Sequence, residues 1–569
     1  MSSDSVSVSA STAQQPRAWS VVRRLGRVAL LTASCVGSAC DRREKSELGD
    51  VPHALSDGPA IAANPNVHAV GNADAGREVY RFETFGNEGF WTEAARMPQG
   101  MMSAKVTPKQ ALEAGLQIDI EAIDPALRRI IEAETKTDMT AMHAPMMNDP
   151  MTTVKLVNAN AIVGLVPKDA NGDGRLDITN GDKVGVACTL CHTVTDKSVY
   201  DMPGGGSIGK RVDGPAALTL NVGRLLALAA NSRALYPNLQ QIFMGVSIGR
   251  APMGLGPNST EAEVDAYLMN PKFYPVGTFD ETQDGVGNPV KNTPLFRQDL
   301  SAPYGSAGDF RLLEDISNAS YTTNLDPTTL LTPEGRKFLE MKAGPAGKQM
   351  AEEYEKILRE TGVTGYPFVK ASMTGEVGVP SSPVGRRLDS RKLLDMNAYL
   401  DALPAPRGAT VDVARSARGR DLFRANCTKC HNVDQNRFVP PMLVALKTMW
   451  PAYTPLPAGI RGDSKLSKIL NSPGDFDNKM VIVDASDRGE PRGVAIPLLL
   501  DLARTHLFLH DASVPSLEAL LDPARGVTAP HPFYIKGAPE RADMVEFLRG
   551  LGTDSSRGTR PTALQSRKQ

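Results

Sequence analysis

A mainly α-helical chain, built from two related modules with long loop-rich insertions, is the fold the sequence predicts. Three observations lead there. A Cys-x-x-Cys-His motif occurs twice, at Cys188-Thr-Leu-Cys191-His192 and Cys427-Thr-Lys-Cys430-His431. Each half ends in a segment with apolar residues at helical spacing: Leu393, Met396, Leu400 and Leu403 in the first, and Met544, Phe547, Leu548 and Leu551 in the second. Proline and glycine are plentiful and aromatics sparse, which suits helices joined by long loops better than a strand-rich sandwich.

At 569 residues the chain is long enough for about two to four domains. A net charge of −1 gives no electrostatic case for nucleic acid or an anionic membrane surface as partner. Residues 1–40 read as an export signal. Arg17, Arg23, Arg24 and Arg27 form the basic region, and Val28 to Ala39 the apolar one, too short to span a bilayer. Ser38-Ala39-Cys40 closes it with small residues. Cleavage before Cys40 leaves that thiol to carry a lipid; plain cleavage or disulfide use of Cys40 is the alternative. Residues 41–74 read as a flexible linker, 75–405 as the N-terminal module, 406–555 as the C-terminal module and 556–569 as a disordered tail. Pro404-Ala405-Pro406-Arg407-Gly408 breaks the helix between modules. The first module exceeds a minimal one, and the stretch from Pro271 to Ser317 is expected to be inserted.

The spacing of Cys-x-x-Cys-His has a chemical reason. Two thiols three positions apart add to the two vinyl groups of one haem, and the following His is held beneath the iron. With six Cys and eight His, even one chance match has an expectation of roughly one in a thousand. A zinc ribbon needs its pairs closer than Cys191 and Cys427, and a redox dithiol needs a βαβ setting. The reading is therefore two covalent haems, each in a cytochrome c-like module. A helix runs from Ala414 to Asn426 into the second motif, with Leu422 and Phe423 inward.

The sixth iron position decides between electron transfer and O₂ or peroxide chemistry. For haem one, Met253 either ligates or packs in the pocket wall, with Met244 a weaker competitor and a helix expected from Glu261 to Leu268. For haem two, His510 is the leading candidate, ahead of His506, Met442 and Met480. Asp169, Asn171, Asp173, Arg175 and Asp177 follow the spacing of a calcium loop, with Asn180 where a bidentate Glu is usual and Asp182 near; a polar turn is the alternative. Met139, Met142, His143, Met146, Met147 and Met151 form a soft-ligand cluster that copper or plain packing explains. Trp91 and Trp450 either pack or lie beside the haems.

The stretches Gly76-Arg77-Glu78-Val79-Tyr80-Arg81-Phe82-Glu83-Thr84-Phe85-Gly86-Asn87-Glu88-Gly89-Phe90-Trp91, Ile208-Gly209-Lys210-Arg211-Val212-Asp213-Gly214, Leu220-Asn221-Val222-Gly223 and the segment around His510 carry a resemblance. Together with the haem motifs they resemble the dihaem cytochromes that include the bacterial cytochrome c peroxidases, the MauG-like enzymes and, most closely, the rubber-oxygenase-like proteins. The resemblance implies His510 as second ligand of haem two, an open O₂-binding face on haem one, and Phe310 as the aromatic over it. The chain departs at His506-Leu507-Phe508, where the family has Ala-Pro-Tyr, and at Ala512, where it has Gly. The expected function is a peroxidase- or oxygenase-type enzyme served by a periplasmic electron donor or acceptor, exported and anchored by a lipid on Cys40. The alternative is an electron-transfer cytochrome with both irons six-coordinate.

Overall fold

The computed structural model describes residues 70–242, 248–249, 255–280, 289–301, 304–305, 310, 312–428, 430–431, 441–453, 480–484, 493–496 and 498–552. The export signal, Cys40, Met244 and Met253 lie outside the described residues.

Much of the proline opens helices instead of breaking them. Thr107-Pro108, Asp124-Pro125, Asp149-Pro150, Asp326-Pro327, Thr332-Pro333 and Asp522-Pro523 each place a capping side chain before a Pro in the first turn. There the missing N–H costs nothing and the capping oxygen takes one of the free amides.

Two helix pairs organise the chain. In the first, α1 (Ala73–Phe82) packs on α2 (Ser390–Ala402). Asn72 caps α1 by accepting from the amides of Asp74 and Ala75 at 2.9 and 3.0 Å. Asp389 caps α2 in the same way. Leu393, Met396 and Leu400 face a core with Tyr80, Phe85 and Tyr321, each apolar side chain contributing about 1.5–3 kcal/mol by burial. In the second pair, α3 (Val413–Asn426) packs on α4 (Ala538–Arg549). Phe423, Met544, Phe547, Leu548 and Leu551 lie in their shared core, while Leu422 is only half-buried.

The two pairs are built alike, down to single residues. Gly76 lies on the Asp395 carbonyl, where a Cβ would come within 1.8 Å, and Gly419 lies on the Asp543 carbonyl, where it would come within 2.0 Å. Around these contacts Gly76-Arg77-Glu78-Val79-Tyr80-Arg81 matches Gly419-Arg420-Asp421-Leu422-Phe423-Arg424, and Asp395-Met396 matches Asp543-Met544. The spacing then pairs Tyr80 with Phe423, and Tyr399 with Phe547.

The modules differ in what separates the opening helix from the haem motif. In the second, α3 runs directly into Cys427. In the first, residues 83–187 intervene and carry helices Pro125–Glu134 and Pro150–Asn158 and the antiparallel pair Leu165–Lys168 with Lys183–Val186. Leu112, Ile118, Ile131, Met147 and Leu156 of this insertion form a core that Ile208, beyond the first motif, completes. A further insertion holds helices Pro333–Ala343 and Pro345–Glu360 and the hairpin Ser372–Val379 with Ser382–Arg387. The first module is thus extended mainly by these segments, beyond the Pro271–Ser317 stretch expected from sequence.

The linker after α2 does not separate the described residues, which belong to one compact unit. Ala409 donates to the Arg549 carbonyl at 2.8 Å, and the Arg504 guanidinium donates to the Arg407 carbonyl at 3.0 Å. Among the described residues, no helix is long and apolar enough to cross a membrane.

Candidate functional site

The first motif forms a single helical turn, Thr189–His192. The His192 amide donates to the Cys188 carbonyl at 3.2 Å. The turn straddles two cores: Cys188 packs on the Tyr80–Tyr321 cluster and Cys191 on the core of the 83–187 insertion. Gly164 makes the approach feasible. Its φ is +85°, and a Cβ there would lie 2.3 Å from the Leu190 backbone, so no other residue fits without displacing the turn.

His192 is held in one orientation. Its Nδ1 lies 2.7 Å from the Thr293 carbonyl, a contact that requires Nδ1–H to donate and leaves Nε2 as the basic atom. Thr293 follows the strand Pro289–Lys291. Between them Asn292 is fully buried and its amide donates to the Gly277 carbonyl at 2.9 Å. Burial pushes the His192 imidazole down to about 4, so the ring is neutral at pH 7, as a metal ligand must be. Burial also pushes the Cys191 thiol up to about 12. Cys188 and Cys191 are free thiols, and Cys188 Sγ touches the Tyr321 hydroxyl at 3.5 Å. An apolar cavity opens beside Cys191, lined by Trp91, Leu190, Leu220, Val222 and Leu226 among others. Trp91 is buried in its wall, with an indole N–H that meets no acceptor.

The second motif continues α3. Cys427 is its C-cap, and the amides of Cys430 and His431 turn back to the Cys427 carbonyl at 3.1 and 3.0 Å. Burial pushes His431 down to about 4 and the Cys427 thiol up to about 12. The Phe423 ring flanks His431 at 6.5 Å between centroids.

His531, which sequence reasoning passed over, faces His431 with ring centroids 6.1 Å apart. Its Nδ1 is sealed from solvent and bonds to nothing, and burial, reinforced by His431 and Arg525, pushes the ring down to about 3. The backbone is fixed from both sides: the His531 amide donates to the Met449 carbonyl at 2.5 Å, and the Phe533 amide to the His531 carbonyl at 2.9 Å. The available signal was arithmetic. His506, His510 and His531 are the three histidines after His431, and His531 alone lacked a recognisable segment.

His510 sits in a tight turn closed by mutual hydrogen bonds between Phe508 and Val514 at 2.8 and 3.3 Å. Leu509 and Ala512 take positive φ, +67° and +59°, a conformation that Gly adopts at less cost. The His510 carbonyl accepts from the Lys291 amide at 2.7 Å. One extended segment therefore holds His192 through Thr293 and the His510 turn through Lys291. Lys291 Nζ reaches the Leu507 carbonyl at 3.2 Å and lies over the Phe508 ring. His506 is exposed. Met442 and Met480 lie in neighbouring parallel strands, Pro441–Ala445 and Met480–Asp484.

Phe310 pairs with Tyr304 through two backbone hydrogen bonds, 2.8 and 3.1 Å, and packs on the same cluster as Cys188. Trp450 is partly exposed and packs on Tyr453. In the 169–177 loop, Asp169 accepts from the amides of Gly172 and Gly174, Asn171 from Asp173 and Asp173 from Arg175. Asp182, buried, accepts from Ala170 and Asp177, so these amide bonds account for the loop's shape. Met139 and Met147 are core residues, whereas Met142 and Met151 point outward and His143 pairs with Asp138, so the Met/His stretch does not converge. Among the described residues, no three His, Cys, Asp or Glu side chains are grouped to hold a metal ion.

No protein-family model, no curated protein and no solved structure matches the chain.

Proposed function

We propose that the chain is a dihaem c-type cytochrome acting as a haem-dependent oxidoreductase of the peroxidase or oxygenase type, with the first site reactive and the second serving electron transfer. The observation that carries this is His192: buried, neutral, bound at Nδ1 to the Thr293 carbonyl and adjacent to two free thiols. A carbonyl partner on the far nitrogen is the arrangement that fixes a metal-bound imidazole and raises its basicity. Cys188 and Cys191 supply the thiols for the first haem; Cys427, Cys430 and His431 supply the second set. When bound, the haems provide iron centres that exchange electrons and, where a position is open, activate O₂ or peroxide.

The protein residues contribute orientation and dryness. Trp91, Leu190 and Leu220 offer an apolar wall beside Cys191, where excluded water strengthens local electrostatics. At the second site the 6.1 Å between the His431 and His531 rings supports His531 over His510 as the closing ligand. His431 and His531 would hold the iron of the second haem between them, and that iron would then supply electron transfer. The open face of the first site rests on the family resemblance.

The test is the purified exported protein. Its mass and pyridine haemochrome spectrum should report two covalent haems, and the reduced form should bind carbon monoxide at one. Two low-spin haems that both refuse carbon monoxide would replace the enzyme by an electron carrier, and a haem-free protein would end the proposal.

A further inference from the structure

The matched helix pairs contain an internal comparison. Each places two aromatic rings across its crossing. Phe423 and Phe547 lie 5.5 Å apart between centroids, and Tyr80 and Tyr399 lie 5.7 Å apart. Packing therefore needs only rings, and the second module meets it with phenylalanine. The first module adds a hydroxyl to both, and both hydroxyls are engaged. Tyr80, fully buried, donates to the carbonyl of His192 at 2.5 Å and lies 3.2 Å from the Thr193 hydroxyl. Tyr399, half-buried, donates to Asp213 Oδ2 at 2.6 Å, the length of a charge-assisted bond to a carboxylate.

Asp213 is itself a built acceptor. Its side chain is buried, Arg81 Nε donates to it at 2.6 Å, and the Thr193 hydroxyl donates to Oδ1 at 3.1 Å. Oδ2 thus lies within hydrogen-bond reach of both the Arg81 guanidinium and the Tyr399 hydroxyl. Burial and the neighbouring Asp213 carboxylate hold the Tyr399 phenol protonated at rest. The result is an unbroken line from the backbone of His192 through Tyr80 to Tyr399, with a proton acceptor at its outer end.

We infer that Tyr80 and Tyr399 form a one-electron relay between the first site and the protein surface, with Asp213 as the proton acceptor for Tyr399. The inference rests on the proposal that the first site is the reactive one. Peroxide reduced there to water requires two electrons and two protons. For each electron, Tyr399 is oxidised through Tyr80 and its phenolic proton passes to Asp213 Oδ2, leaving a neutral phenoxyl radical. An external one-electron donor, a small phenol or a reduced carrier protein, returns the electron, and Asp213 returns the proton to Tyr399, so the two protons consumed with the peroxide are drawn from solvent. Oxidation makes a phenol strongly acidic, so even a carboxylate held by Arg81 accepts the proton.

The experiment treats the haem-loaded protein with hydrogen peroxide and freezes it for EPR, with optical spectra in parallel. The expected result is a tyrosyl signal whose hyperfine pattern changes when the protein carries ring-deuterated tyrosine. Tyr399→Phe should lose that signal or move it to Tyr80, and Tyr80→Phe should lose it and slow oxidation of the external donor. Both variants keep the ring that packing needs, and their resting haem spectra should match wild type. Optical reaction with peroxide accompanied by no protein radical, or by one unchanged in both variants, overturns the relay and leaves the proposed function standing. Haems that do not react with peroxide at all overturn the relay together with the reactive first site.

Discussion

Replacing Gly419 by Ala should destabilise the second helix pair despite improving the helix that carries it. In isolation the change favours α3 by about 1 kcal/mol, because Ala restricts the unfolded chain and shields the backbone. In the fold, the new Cβ would lie 2.0 Å from the Asp543 carbonyl oxygen and 2.7 Å from both the Asp543 carbonyl carbon and Phe547 Cβ. The nearest obstacle is backbone within α4, so no rotamer change relieves it, and the helices must part by roughly 1 Å against close packing. Overpacking of this kind costs about 1–3 kcal/mol, and a backbone obstacle puts the cost at or above the upper end. The net loss is about 2 kcal/mol. Parting the helices also loosens Phe423, which packs on Phe547 and flanks His431, so haem at the second motif should fall with stability. Guanidinium unfolding followed by far-UV circular dichroism, with haem stoichiometry on the same samples, measures both. A midpoint that is unchanged or raised would mean helix propensity wins, and that the glycine contact does not hold the pair together.

His531→Ala should turn one low-spin haem high-spin in EPR and open it to carbon monoxide, whereas His510→Ala should not; the reverse pattern returns the ligand to His510. His531→Met, which keeps a ligand, should raise that haem's reduction potential in a redox titration. Lys291 is pulled down to about 8 from 10.5 by burial, so below pH 8 it is charged in both folded and unfolded chains and its desolvation cost is present in full. As pH rises from 8 toward 10.5 the native state loses the proton first and the cost fades. Lys291→Met should therefore raise stability near neutral pH by about 2 kcal/mol, the desolvation cost of about 3 kcal/mol less about 1 kcal/mol for the lost bond to the Leu507 carbonyl, with the gain shrinking across that alkaline window in unfolding titrations. Asp326→Ala should cost 3 kcal/mol or more (about 1–3 per stranded donor), because the buried carboxylate receives the amides of Thr328, Phe368 and Val369; thermal unfolding reads the loss.

Local chemistry was legible in the linear chain. The spacing within Cys188–His192 and Cys427–His431 is set by a single helical turn, and the apolar periodicity of α2 and α4 by one buried face, so short windows carried both. The helix Glu261–Leu268 has the predicted limits, because Thr260 and Glu263 form a capping box that marks its start. Proline misled in part: its role at first turns depends on the capping residue before it, and composition alone does not register that order.

Tertiary structure decided what distance along the chain conceals. Thr293 meets His192 across 101 positions, and a backbone carbonyl leaves no side-chain signature to read. His531 meets His431 only because the loop before α4 folds back over the motif, while His510, in a recognisable segment, drew attention away from it. The 83–187 insertion separates Tyr80 from the motif it serves, hiding the match between α1 and α3. The sequence by itself determined the grouping of two thiols and one imidazole within each motif, since five consecutive residues fit in about one helical turn. Which carbonyl orients the His192 imidazole, which ring faces His431, and which hydroxyl meets the His192 backbone were decided by packing, because those contacts exist only once remote backbone segments are brought together.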